Sequence, residues 1–324
     1  MVTGDDVLLL TKLSGASDPH HFCKPGIRRH LLNKIVHHKC SAMKKVLVPT
    51  DFSDNSKHAL RIAAQIAARA GAILEIMHAN TALAYAPPLP EYAGTVQYNL
   101  DDYYEQATTE LFNLKTEIAA IPGNERLQIE TRIEEGFLHS SINRVVTEDQ
   151  ADLIVMGTKG ATGAVEFLVG SNTEKVIRTC VCPILAIPIT SSDQFEPKKV
   201  VLASTLQIDQ AAAFKALTAW QAIFPFEVHV LYLNNPAGFG NNDEIDQAVS
   251  NFAEKAGLTQ VTAHVSNNTF NEEASILQFA KEINADLIVM ATHQRQGLSH
   301  LVFGSLTEDT VNHANTPVLA VPLR

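Results

Sequence analysis

Short apolar runs recur along this chain, each closed by turn-forming residues and followed by a stretch whose apolar positions repeat with helical spacing. Val46-Leu47-Val48-Pro49 reads as a buried strand and Thr50-Asp51-Phe52-Ser53 as the turn that leaves it. Ser53 or Asp54 caps the next helix, Ala59, Ile62, Ile66 and Ala70 form its buried stripe, and Gly71 stops it. Ile73 to His78 predicts the second strand. Residues 82 to 101, with Pro87, Pro88 and Pro90, predict a loop, and a helix from about Asp102 ends before Pro122-Gly123. A strand from Leu127 to Glu134, a helix carrying Ile142, Val145 and Val146, and the strands Asp152 to Met156 and Pro183 to Pro188 complete this part.

The pattern then repeats. Val155-Met156-Gly157-Thr158 recurs as Val289-Met290-Ala291-Thr292, Gly170-Ser171 as Gly304-Ser305, and Pro183 to Pro188 as Pro317 to Pro322, all at an offset of 134 residues. Lys44-Lys45-Val46-Leu47 matches Lys198-Lys199-Val200-Val201 at an offset of 154, so the first copy carries 20 residues more than the second. A period this long implies two domains, each with its own core. The expected boundaries are 43–189 for the first, 190–197 for a polar linker and 198–324 for the second, in which Ala213, Leu217, Trp220 and Phe224 form one helical stripe. Continuous apolar strands alternating with helices predict an α/β fold of two tandem doubly wound domains, each with a mainly parallel sheet and helices on both faces. Ligands of such sheets bind beyond the carboxyl ends of the strands.

That edge holds the main chemical signal. Gly157, Gly160, Gly163 and Gly170 follow the strand Asp152 to Met156 and lead into a helix at Ser171. Glycines free the backbone to approach an anion, and a helix start offers N–H groups and the positive end of a dipole. Turn-forming and capping roles compete with this reading. Ser171 with Glu174, and Ser305 with Glu308, have the spacing of a capping box, and Asp51 has the chemistry of a helix cap.

Gly157-Thr158-Lys159-Gly160, nine residues, then Gly170-Ser171, together with Asp51, make the chain from about residue 43 to 324 resemble a tandem universal stress protein. The resemblance implies five strands per domain in an adenine-nucleotide alpha hydrolase-like fold. It also implies ATP, alone or with Mg2+, in the first domain: Asp51 at the adenosine end, Ala79 beside the base, Met156 beneath it, and Gly157, Gly160, Gly170, Ser171, Asn172 and Thr173 around ribose and phosphates. Thr205, Ala291 and Gln294 stand in the second copy where the first has Asp51, Gly157 and Gly160, so that copy is expected to be degenerate for ATP, with His293 and Arg295 as solvated or anion-facing residues. Members of this family pair through the last strand. An intramolecular pseudo-dimer through Pro183 to Pro188 and Pro317 to Pro322 is therefore expected, with further homo-oligomers open.

A formal net charge of −10 argues against nucleic acid and anionic membranes as partners. No apolar run is long enough to span a bilayer, and Val7 to Leu10 lacks the cleavage signature of a signal peptide, so the expected location is the cytoplasm. Cys180 and Cys182 do not suggest a disulfide framework. Residues 1–42 hold His20, His21, Cys23, His30, His37, His38 and Cys40 without metal-ligand spacing or periodicity, and read as a leader outside the fold ahead of Met43. No Walker loop and no carboxylate pair beside the glycines marks a catalyst. The functional expectation is an ATP-binding regulatory protein of the stress-response type; a slow ATPase or nucleotidyl-transferring enzyme, and a non-binding scaffold, are the alternatives.

Overall fold

A strand covered on both faces needs apolar residues at successive positions, and the continuous apolar runs at Val46, Leu153 and Ile184 become strands of that kind. The computed structural model describes residues 43–323 except 82–92, 159–170, 207–209, 211–213, 216, 234–241, 267–270 and 294–302. The expected leader, 1–42, lies outside the described residues. The elements of the first half are β1 (Lys45–Pro49), α1 (Asp54–Ala70), β2 (Ile73–Asn80), α2 (Ala93–Ala119), β3 (Ile129–Glu135), α3 (Leu138–Asp149), β4 (Leu153–Gly157), α4 (Ser171–Thr179) and β5 (Ile184–Ile187). Those of the second are β6 (Lys199–Ser204), α5 (Leu217–Ile223), β7 (Glu227–Leu233), α6 (Asn242–Ala256), β8 (Val261–Ser266), α7 (Glu272–Glu282), β9 (Leu287–His293), α8 (Phe303–His313) and β10 (Val318–Leu323).

The ten strands form one sheet in the order β3-β2-β1-β4-β5-β10-β9-β6-β7-β8. Pairing is parallel within each half. The halves meet where β5 and β10 run antiparallel, with Leu185 opposite Leu319. These leucines are equivalent in the repeat, so a local pseudo-two-fold axis passes between them. Each half's last strand thereby covers the other's edge. All four residues of β5 are buried, because helices cover both sides of the sheet.

The core divides by sheet face rather than by repeat, which corrects the expectation of one core per copy. On one face Val46, Val48, Leu74 and Val155 of the first half and Val200, Leu202, Val228 and Val289 of the second join one cluster with residues of α1, α2, α5 and α6. On the other, Leu47, Met77, Ile154, Val201 and Ile288 join residues of α3, α4, α7 and α8. Residues 43–324 accordingly form one compact unit.

One further expectation changes. The loop expected over 82–101 becomes helix from Ala93 onward; the prolines end at Pro90, and nothing beyond Gly94 in the first turn of α2 opposes helix. Residues 82–92 lie outside the described residues. The segment 190–197, expected as a polar linker, is packed onto the helices of both halves. His58 of α1 contacts Asp193 Oδ1 at 3.0 Å and Ser191 Oγ at 3.1 Å, Gln65 donates to the Asp193 carbonyl at 2.7 Å, and Phe195 is buried against Trp220 and Phe224. This segment straps α1 to α5. Across the seam on the opposite face, the Arg178 guanidinium of α4 donates to both carboxylate oxygens of Glu308 on α8, at 2.6 and 2.5 Å. Glu308 is buried in that pair, so its expected capping-box role gives way to a bridge between the halves.

Candidate functional site

The strand order creates a switch point in the first half. From β1 the chain winds outward to β2 and β3, then returns to place β4 on the other side of β1, which opens a crevice beyond the carboxyl ends of β1 and β4. Asp51 follows β1 and Gly157 ends β4.

The Asp51 turn is held at several points. Ser53 caps α1 by accepting from Ser56 N at 3.3 Å, and Asp51 Oδ1 accepts from Ser53 N at 3.1 Å and Ser53 Oγ at 2.6 Å. Phe52 is left-handed, with φ of 64°, a conformation few bulky residues adopt, and its N–H donates to Thr50 Oγ1 at 3.0 Å. Beneath the turn lies His78, buried, with Nδ1 2.8 Å from the Thr50 carbonyl and Nε2 2.6 Å from Tyr103 Oη on α2. Its ring stacks on Phe52 with centroids 4.5 Å apart. Asp51 itself is exposed.

Gly157 has a packing reason to be glycine. A Cβ there would stand 2.9 Å from the Asn55 carbonyl oxygen in the first turn of α1, closer than atoms approach. Thr173 on α4 is buried and donates from Oγ1 to the Gly157 carbonyl at 3.0 Å, tying the helix to the strand end. Thr307 repeats this tie to the Ala291 carbonyl at 3.2 Å, so the contact belongs to the framework of both halves. Met156 is buried in the cluster against α3 and α4, Ala79 is half-buried at the carboxyl end of β2, Asn172 is exposed on α4, and Ser171 is the first residue of α4. Gly160, Gly163, Gly170 and Lys159 lie outside the described residues, as do Gln294 and Arg295 of the second half.

The second half keeps the frame and changes the groups. Leu206 repeats the left-handed residue with φ of 59°, and its N–H donates to Ser204 Oγ at 2.9 Å. Gln210 stands where the first half has Ser56, accepting from Ser204 Oγ at 2.6 Å and from Thr205 N at 3.2 Å. Thr205 replaces the carboxylate of Asp51, and Ala291 replaces Gly157.

Sequence reasoning missed His78 and Tyr103, and also an ion-pair network at the far end of the same strands. Buried Glu75 accepts from Lys45 Nζ at 3.0 Å and from Arg132 Nε at 2.7 Å, while Arg132 also reaches Glu134 at 3.2 Å and pairs with Asp149. The signal was present: a charged residue inside an apolar strand requires a partner.

The model of the universal stress protein family matches residues 43–188 and again 197–322. The chain belongs to this family. A universal stress protein of Methanocaldococcus jannaschii is 29% identical over 165 residues, covering 50% of this chain and 91% of that protein. A universal stress protein of Synechocystis is 23% identical over 304 residues, covering 86% of this chain and 99% of that protein, so the tandem arrangement has a full-length relative. The crystal structure of a universal stress protein from Archaeoglobus fulgidus superposes with a TM-score of 0.62 over 87% of this chain and 97% of that one, at 16% identity, which establishes the shared fold. Among the described residues no helix is long and apolar enough to cross a membrane.

Proposed function

We propose that the first half binds ATP in the crevice between the carboxyl ends of β1 and β4, and that the second half supplies the partner surface of a regulatory stress-response protein. The observation that carries this reading is the asymmetry of two otherwise matching frames. Both halves build the same left-handed turn and the same threonine tie, yet the carboxylate and the glycine at the switch point belong to the first alone. The donor set fits the ligand: Asp51 offers an acceptor, and α4 begins at Ser171, where the first N–H groups of a helix have no intrahelical partner and suit phosphate oxygens.

Losing a charge-assisted hydrogen bond at Thr205 costs about 1.5–3 kcal/mol, which is roughly tenfold to a hundredfold in affinity. Isothermal calorimetry on the full chain should therefore find one ATP per chain. Gly160→Gln, which copies Gln294, should remove most of that binding while circular dichroism stays unchanged. Two equal sites, or undiminished affinity in the variant, would overturn the reading.

A further inference from the structure

We propose that His78, held by Tyr103, is a positioning residue that presets the Asp51 turn for the nucleotide; this rests on the ATP reading given above. A carbonyl oxygen only accepts, so His78 Nδ1 carries the proton in its 2.8 Å contact with Thr50 O. In the neutral ring Nε2 is then the acceptor, and Tyr103 Oη donates to it at 2.6 Å. One imidazole thus grips the residue before Asp51 through a hydrogen bond and the residue after it through its stack on Phe52. Thr50 is held further by its N–H to the Met77 carbonyl at 2.8 Å and by the 3.0 Å contact of Oγ1 with Ser56 Oγ. Both flanks of Asp51 are anchored to the sheet, and the entropy of placing the carboxylate is spent in folding rather than in binding.

The second half separates this role from a purely structural one. It forms the same left-handed turn at Leu206, with Tyr232 where the first half has His78 and Thr205 where it has Asp51. The turn therefore folds without the histidine, and the histidine stands only beneath the carboxylate. Tyr103 comes from α2, which has 27 residues against 15 in α6, and α6 contains no tyrosine.

The test is a double-mutant cycle on the full chain, with ATP affinity read by calorimetry and folding by circular dichroism. His78→Phe keeps an aromatic ring, as Tyr232 does, and should weaken ATP about tenfold; Tyr103→Phe should weaken it roughly two- to threefold. Asp51→Asn should weaken it about tenfold or more. In the Asp51→Asn background His78→Phe should add less than about twofold, because its effect passes through that carboxylate. Equal losses in both backgrounds would show a general structural role and overturn the proposal. Full affinity in His78→Phe, with Asp51→Asn still impaired, would overturn it and leave the ATP reading standing. An unmodified chain that binds no ATP would overturn both. If His78→Phe does not fold, the same cycle run with Tyr103→Phe decides.

Discussion

Glu75 and His229 occupy the same place in the two halves, and so do Arg132 and His264, each three residues beyond a matched pair of the β2–β3 and β7–β8 registers. In the first half this place holds a network of fixed charges: burial works against the Lys45 and Arg132 cations, but the carboxylates around them outweigh it and raise both pKa values. In the second, His229 Nδ1 lies 3.1 Å from His264 Nε2, His264 packs against Phe279, and Lys199 turns instead to the Ile283 carbonyl at 3.2 Å. His229 Nε2 has no hydrogen-bond partner among the described residues and lies 3.7 Å from Glu227 Oε2. The sheet is indifferent to this exchange because both pairs satisfy the same cross-strand geometry. The difference is in what surrounds the same strand positions: carboxylates that hold the Lys45 and Arg132 pKa values up on one side, and burial with a neighbouring imidazole that holds the His264 pKa down on the other.

Breaking the first network should have the largest effect. Glu75→Ala leaves Lys45 and Arg132 without their buried carboxylate, and the cost should be about 3 kcal/mol, moderated by Glu134, Asp149 and Glu130, which remain. Denaturant unfolding of this variant beside His229→Ala measures the asymmetry; equal costs would abolish it. Gly157→Ala should cost about 2 kcal/mol, because the new Cβ pushes against the Asn55 backbone, whereas Ala291→Gly should cost about 1 kcal/mol or less through chain entropy.

The smallest effect concerns pH. Burial lowers the His264 pKa, and the neighbouring His229 lowers it further. The folded protein then binds fewer protons at this site than the unfolded chain. Its contribution to stability is complete above the unfolded value of about 6.5 and is lost as pH falls from there through the depressed folded value. Melting temperatures between neutral and mildly acidic pH should show that fall, and the joint change His229→Glu with His264→Arg, which installs the first half's pattern, should flatten it. A slope that survives the exchange would locate the acid response elsewhere.

Much of this was legible in the residues. The turn at Asp51, the cap at Ser53, the stop at Gly71 with φ of 66° and most strands follow from local chemistry. The helical start at Ala93 was not, since three prolines drew the loop too far into a segment in which only Gly94 opposes a helix. At the site, Asp51 and Gly157 were visible, but one of the reasons for Gly157 was hidden: the atoms its Cβ would strike lie on Asn55, about a hundred residues earlier in the chain. His78 resembled an ordinary polar residue ending an apolar strand until Tyr103 and Thr50 were brought to its two nitrogens.

Periodicity, turn chemistry and self-similarity are local, and they alone determined that this chain is a duplicated parallel α/β protein with one well-furnished and one altered switch point. The tertiary structure decided what depends on contacts between distant residues. It set the antiparallel register of the expected last-strand pairing, Leu185 opposite Leu319, divided the core by face instead of by repeat, and turned Glu308 from a cap into a bridge. It also placed a buried network of fixed charges in one half and a pair of imidazoles in the other. Packing and charge compensation depend on which atoms come within a few ångströms, and folding, not sequence order, decides that.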